Sequence, residues 1–599
     1  MMCIKKEHRF FAGLMTLYGI FIFLFWMFLY ANHMIHREQT QLFLWSSEYW
    51  WNMWSQHGGF SLWLGGFVTQ FLGHSLPGAL VITLLLLMLA GSVRKFLRLY
   101  NTSLLSDILS MVPAVVYGWL LTDPYYLMAG VIAVTVVLQA FTRLLKIRDP
   151  KHAFIIGMLL LPAVYWLAGG AFLIYGTLWI ITLISGQPWQ RGSLQPVHRY
   201  AGVGIVILLM VAIPLLFRKL FFLDTILQSY LSEVFYKIRV VVPPLLAIAL
   251  LTIPLVVLMV IPGAFGFSLK RKARGIYAAL VPAVLGLAMA GTWWFYNPDE
   301  ENELRYDHWV YHEKWDEIIA RSEKEFPEGP VHKLALSMAL AQQGKLTDRM
   351  FGFGLRKENL FMAYNLEGFA PLVASEPFYR LGLVNFARMM AMESIESSPD
   401  ALMPVRAVER VAQTDLIIRQ YGVAERYLRL LGKTTFYRKE ARRSLKALHN
   451  EDVINSHPEW GRLRALQPKT DFYYRTGDYK ISLLWLLNGN LDNKMAYEYL
   501  MAIFLFEMDF DSFLKNLAYY PRYKYTQTPR AFQEAVAYIG TLTDELPPEA
   551  ANIEVSEEVR ARLNEYAFRY MNGGERQPGK MKSDYGKTFW YYLHFEAKE

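Results

Sequence analysis

The sequence predicts an all-α protein in two parts: a polytopic bundle of about nine transmembrane helices over residues 1–296, then a soluble helical repeat domain, an α-solenoid, over residues 297–599. Three observations carry this expectation. Apolar residues make up 54% of the 599-residue chain, its mean hydropathy is +0.19, and the excess falls in blocks about one bilayer thick before residue 297. Charge divides at the same place: residues 1–296 hold 21 Lys and Arg against 8 Asp and Glu, while residues 297–599 hold 40 against 44. The junction has the residues of a membrane exit. Trp293, Trp294 and Tyr296 are rings suited to the membrane–water interface, Asn297-Pro298 breaks a helix, and the acidic run 299–303 is expected in water.

The first half carries the basic excess behind the net charge of +9, so the charge sets topology rather than marking a nucleic-acid surface. Cys3 is the only cysteine; the fold uses no internal disulfide, and a zinc or iron–sulfur site built on several cysteines is excluded. Lys5, Lys6 and Arg9 precede a run that is longer than a signal-peptide core and lacks a small-residue cleavage site, so it reads as a retained first span.

A span needs about 20 mostly apolar residues. The candidates are 10–31, 76–93, 105–122, 124–142, 153–168, 170–186, 200–217, 240–262 and 275–296, with the fifth and sixth joined by the small-residue turn Ala168-Gly169-Gly170. Pro113, Pro162, Pro214, Pro254 and Pro282 lie inside spans, where neighbouring helices can re-satisfy the backbone. Lys and Arg number 16 in the termini and loops of one side and five on the other, which puts the N-terminus in the cytoplasm and residues 297–599 outside it.

The external loop 32–75 is the stretch richest in candidate chemistry. Leu42, Trp45, Tyr49, Trp50, Trp51 and Trp54 recur at helical spacing and predict an interfacial helix, ended by Gly58-Gly59 and followed by a second over 60–71. Glu38 and Glu48, held just above a bilayer, are candidate general bases; with His33, His36, His57 or His74 beside them, a divalent metal gripping a phosphate is the alternative. Either acid can equally be the solvated face of an interfacial helix. In the loop 218–239, Asp224, Gln228, Glu233, Lys237 and Arg239 lie on a helical pattern, either an interfacial helix or a site for anionic lipid headgroups, with Arg218, Lys219, Lys237 and Arg239 the candidates for a lipid phosphate. Asp123-Pro124 reads as a turn. No span has an ionisable residue near its centre, which argues against an ion-coupled transporter.

After residue 303 the pattern is helix after helix. Small residues at 335, 339 and 341, a glycine turn at 344, and breaks expected at Gly422, Gly432 and Gly489-Asn490 resemble tetratricopeptide repeats over 305–350 and 410–515, which implies a solenoid with a concave face. This half has no phosphate-cradling glycine loop, nucleophile elbow or metalloprotease motif. The aromatic, basic run Tyr519–Tyr525 suits a sugar or phosphate, or is an ordinary interhelix loop.

The whole-chain pattern resembles an uncharacterised family of bacterial polytopic membrane proteins with a repeat-like periplasmic tail. Its layout is also similar to GT-C glycosyltransferases, which have a first span, a long external loop with an acidic residue and interfacial helices, then many spans. That resemblance implies a lipid-phosphate-linked sugar donor such as a polyprenyl-phosphate sugar, a role in cell-envelope glycan assembly, Glu38 at the position of the family's acid and Glu48 second. Where those enzymes usually show Asp, this chain reads Arg37-Glu38-Gln39. Two functions stand from sequence: a membrane glycosyltransferase, or a non-enzymatic scaffold of the inner membrane whose periplasmic domain recruits an envelope protein.

Overall fold

The computed structural model describes residues 2–186, 195–222, 225–230, 235–236, 244–261, 274–362, 370–398, 403–468, 477–543 and 545–597. Among the described residues the chain is helical without a strand; the one β-type pairing is an isolated bridge between Tyr126 and Tyr236. It divides into two units. The first is Met1–Glu301 with Ser398–Arg406 and Leu430–Ala441; the second is Asn302–Ser397, Ala407–Arg429 and Arg442–Glu599. Two short segments of the second half of the sequence thus fold with the first unit.

In the first unit the chain runs through α1 (Met2–Leu24), continued by a π-turn at Phe25–Leu29, then α2 (Ala31–Gln39), α3 (Ser47–Trp54), α4 (Gly59–Thr69) and α5 (Ser75–Leu97). It goes on through α6 (Leu104–Leu109), α7 (Met111–Leu120), α8 (Met128–Leu144), α9 (Pro150–Ala168), α10 (Phe172–Ser185) and α11 (Pro196–Leu220). The short α12 (Ile226–Tyr230), α13 (Pro244–Val260) and α14 (Arg274–Phe295) complete it. Each of the nine apolar blocks therefore contains a helix; between the third and fourth, Leu121–Leu127 form a turn, so the fourth helix begins at Met128. By length and composition four helical stretches can cross a membrane: Arg9–Leu29, Ser75–Leu97, Pro150–Ser185 and Pro196–Leu220. A fifth is the pair Ala279–Phe295 and Pro298–Tyr311, bent by 59° at the expected Asn297-Pro298 break. Leu104–Leu120, Met128–Leu144 and Pro244–Val260 are apolar but shorter.

The 36-residue stretch Pro150–Ser185 is folded back on itself. Tyr175 donates its hydroxyl proton to the Gly157 carbonyl at 3.1 Å, and Phe154 meets the Trp179 ring at 5.6 Å. A continuous helix would hold Tyr175 and Gly157 about 27 Å apart. The reversal falls at Gly169, whose φ of +51° is one that side-chain-bearing residues rarely adopt. The third block differs from an unbroken helix: it divides at Ser110, because Pro113 in the first turn of α7 has no N–H to give the preceding turn.

The helix ends alternate. Arg37, after the first block, donates to the Tyr126 carbonyl, after the third, at 2.7 Å. Gly58 N–H donates to the Trp166 carbonyl at the α9–α10 reversal (2.8 Å), and Tyr165 at that tip reaches the Ser229 carbonyl after α11 (2.9 Å). At the other end Arg94 of α5 and Arg98 just after it both hold the buried Asp107 (2.7 Å each), Tyr100 shares a hydrogen bond with Thr182 of α10 (2.7 Å), and Asn101 reaches the carbonyl of Val260 (3.5 Å). So the loops after the first, third, fifth and seventh blocks gather at one end of this unit.

The second unit is built of helical hairpins, such as Trp315–Lys324 with Pro330–Gln342 and Ala370–Leu381 with Val384–Glu396. Every residue from Met495 to Phe506 of the helix Lys494–Phe506 is buried, in a cluster that runs from Tyr306 to Leu593. Helices far apart in sequence share that core: Phe351 meets Phe506 (5.6 Å) and Phe589 (5.6 Å). Gly432 and Gly489-Asn490 fall at helix ends as expected. Gly422 does not: it is the second residue of the helix Tyr421–Leu431, and the break comes at Arg419, with φ +64°.

Candidate functional site

Glu38, the first candidate residue of the loop 32–75, sits on α2. Its first turn has N–H groups without intrahelical partners. Glu301 supplies them: its carboxylate accepts from Asn32 N–H (2.9 Å), the Asn32 side-chain amide (2.7 Å) and His33 N–H (3.0 Å). A negative charge there also complements the helix dipole. Glu301 is only 2% exposed, so the acidic run 299–303 is not wholly in water as expected; the cap takes this one acid out of it.

Arg37 is also 2% exposed. Its guanidinium donates to the carbonyls of Leu121, Asp123 and Tyr126, which satisfies oxygens left open where α7 ends and ties α2 to the α7–α8 turn. Burial lowers its pKa to about 10, with the nearby Asp123 pulling the other way, so it stays charged at neutral pH. Asp123 forms the predicted turn by accepting from Tyr125 N–H at 2.9 Å.

Glu38 ends the same helix and is 6% exposed. The Tyr437 hydroxyl donates to its Oε2 at 2.9 Å, and Gly73 leaves room beside it: a Cβ there would lie 3.5 Å from the carboxylate. Gln39 accepts from Arg406 at 3.4 Å. Past α2 the chain is irregular instead of helical. The expected helix from Leu42 begins only at Ser47, because Leu42 N–H donates to the Met403 carbonyl and Trp45 N–H to that of Lys433, both at 2.8 Å. Trp45 Nε1 also donates to the Thr435 hydroxyl (2.8 Å), and Thr435 N–H to Gln70 (3.4 Å). Segments 398–406 and 430–441 therefore pack against the loop as part of the first unit.

Glu48 has a different setting. It is exposed in the first turn of α3, behind the N-cap Ser46, whose hydroxyl accepts from Tyr49 N–H at 3.2 Å; an acid there stabilises the helix dipole. The histidines are dispersed. His33 stacks on Tyr30 (4.2 Å), His57 on Tyr165 (5.6 Å), and His74 precedes α5 against Phe436 (6.2 Å). Among the described residues no group of three or more His, Cys, Asp or Glu could hold a metal. The expected second interfacial helix is α4, and the Gly58–Gly169 approach lets the loop dock on the α9–α10 tip, helped by Ser61 donating to the Leu167 carbonyl (2.9 Å).

Of the lipid-phosphate candidates, Arg218 and Lys219 are exposed in the last turn of α11, below the aromatic group Trp166, Phe217 and Phe221. Lys237 and Arg239, with Asp224 and Glu233, lie outside the described residues. In the second unit the aromatic run Tyr519–Tyr525 is engaged internally. Tyr520 stacks on Tyr525 (5.1 Å), the Lys494 ammonium covers the Tyr525 ring (4.1 Å), and Arg522 pairs with Asp492 (2.7 Å).

The Family of unknown function (DUF6057) matches residues 6–596. The chain belongs to this family. The DUF6057 match covers the external loop and both segments that pack on it, so the interlock lies within the family region. No curated protein matches the chain, and no solved structure does. Sequence reasoning missed Tyr437, Arg406 and Glu301; they lie 399, 367 and 269 residues from their partners, and no local periodicity connects them.

Proposed function

We propose that this DUF6057 protein is a nine-span protein of the bacterial inner membrane that anchors a periplasmic helical domain as a scaffold for envelope proteins. The observation that carries the scaffold reading is how the loop's polar groups are used. Arg37 serves carbonyls of the α7–α8 turn, Glu38 accepts from Tyr437, Gln39 from Arg406, and Glu301 caps α2. These contacts bind the bundle to segments 398–406 and 430–441, which suits an anchor. Alternating helix ends support nine spans, and the Lys and Arg bias supports a cytoplasmic N-terminus. Affinity purification of the full chain from solubilised membranes is expected to recover one envelope protein in stoichiometric amount; recovery of none would overturn the scaffold role.

The glycosyltransferase reading is supported by one observation: Glu38 is a buried carboxylate in a loop that also carries short helices α3 and α4 before the second block. On this reading Glu38 is the general base, Glu48 assists, and the external cations Arg218, Lys219, Lys237 and Arg239 take the phosphate of a polyprenyl-phosphate-linked sugar. Glu38 acts here as a base. Glu38→Gln is then expected to abolish sugar transfer from such a donor; undiminished transfer would remove Glu38 from the mechanism.

A further inference from the structure

The helix α4 (Gly59–Thr69) carries no charged residue. One of its faces is packed inside the first unit: Gly65 lies so close to α8 that a Cβ there would meet the Ala129 backbone at 2.7 Å. On the outward face, Trp63, Leu64, Phe67 and Val68, continued by Phe71 just past the helix, are only half-buried. Two rings from elsewhere in the same unit lie against that face. Trp45 meets Phe67 at 5.5 Å and Trp63 at 6.3 Å, and Phe436 meets Phe71 at 5.8 Å. These two rings are themselves open, Trp45 at 47% and Phe436 at 45% exposure. Singly exposed rings are ordinary on a soluble surface; a connected apolar row of them is not.

The position of the row says what covers it. Phe436 also packs on His74 (6.2 Å), the residue just before the candidate span Ser75–Leu97. That span leaves Leu76, Leu80, Leu84 and Met88 exposed at every fourth position, a stripe suited to acyl chains. The same end of the unit carries the exposed rings of Phe221, just after α11, and of Trp293 and Trp294, near the end of α14. Tyr296 beside them packs on Tyr30 (5.5 Å), just before α2. Rings gathered where spans end mark the boundary between acyl chains and water. The 11 residues of α4 rise about 16 Å, too short to cross a hydrocarbon core of about 30 Å and long enough to lie along its edge.

We propose that the outward face of α4, with Trp45 and Phe436, sits in the apolar–polar boundary of one membrane leaflet. The proposal rests on the membrane reading above and goes beyond it in one respect. The segment Leu430–Ala441, far past the last apolar block in sequence, returns to the lipid and holds it through Phe436. The bilayer then covers the rings that the fold leaves half-open. Trp45 is fixed to the segment from behind, where its Nε1–H donates to the Thr435 hydroxyl at 2.8 Å.

The test uses the full chain in nanodiscs of ordinary lipid and of lipid brominated near the headgroup end of its acyl chains, with tryptophan emission as the readout. Phe436→Trp adds a fluorescent ring at the site itself. Its added emission is expected to lose as large a share to brominated lipid as the emission of Trp293 and Trp294, obtained by difference from Trp293→Phe/Trp294→Phe. The emission removed by Trp45→Phe should behave in the same way, with no new ring introduced. If both contributions resist brominated lipid and aqueous iodide quenches them, the face is bathed in water and the proposal is overturned. If they resist both quenchers, a protein surface such as a second copy covers the face, and the proposal is overturned as well. Trp293 and Trp294 check the underlying reading separately: if brominated lipid leaves these exposed rings untouched, the membrane reading fails and the proposal with it.

Discussion

Buried carboxylates in the two units show opposite ways of taking a charge out of water. Glu38 in the first unit meets the Tyr437 hydroxyl, and Glu301 nearby receives three N–H donors from α2. Glu498 in the second unit is fully buried on the helix Lys494–Phe506, and neither carboxylate oxygen closes a hydrogen bond. Burial pushes its pKa up to about 7; Lys494, the Tyr525 hydroxyl and the Leu346 N–H face it and oppose the shift, the last two at geometry too poor for a bond. The difference teaches where the chain invests its donors. The loop 32–75 is locked by charge-assisted bonds, whereas Glu498 sits in the second unit's core without one, unlike Glu376 and Glu534 of the same unit, which pair with Arg410 (2.6 Å) and Arg530 (2.9 Å).

The sharpest break in that comparison is Arg37→Met. It leaves three carbonyls without their cationic donor, and should lower the unfolding free energy by on the order of 3 kcal/mol, read as a lower melting temperature of the detergent-solubilised protein. An unchanged melting point would mean that the carbonyls find other donors. Glu498→Gln should act in the opposite direction and depend on pH. The folded pKa lies above the ordinary 4.5, so the acid's favourable contribution is complete below pH 4.5 and is lost as pH rises to about 7. Above pH 7 the amide should stabilise the second unit by on the order of 3 kcal/mol, and below pH 4.5 it should change little, measured by hydrogen exchange of residues 494–506. Equal effects at both pH values would show that Glu498 gains no proton on folding. Tyr437→Phe is the smallest of the three. It should cost about 1 kcal/mol, and Glu38→Gln made in the same background should cost less than it does alone, since the pair is already broken.

Much of the fold was legible because its signals are local. Each apolar block contains a helix, the Ala168-Gly169-Gly170 turn reverses the chain, and Asn297-Pro298 separates two helices, all from patterns a few residues long. The candidate site was less legible. Leu42 and Trp45 carry helical spacing, yet residues 41–45 are not helical, because the N–H groups of Leu42 and Trp45 have partners at Met403 and Lys433. Arg37 counts as a loop cation in a topology argument, but it is buried on three carbonyls. Pairings this distant leave no periodicity to read; tertiary contacts override the local preference.

The bond between Glu38 and Tyr437 spans 399 residues. A ribosome adding about 5–20 residues per second needs roughly 20–80 s to make that much chain. During that interval the loop 32–75 has already been made while Tyr437, Arg406 and the Met403 and Lys433 carbonyls do not yet exist. Its helices α3 and α4 must wait without these partners until the late segments arrive. The order of synthesis thus makes the loop one of the first pieces of the unit to emerge and among the last to be completed, and a ribosome that stops before residue 437 leaves it open.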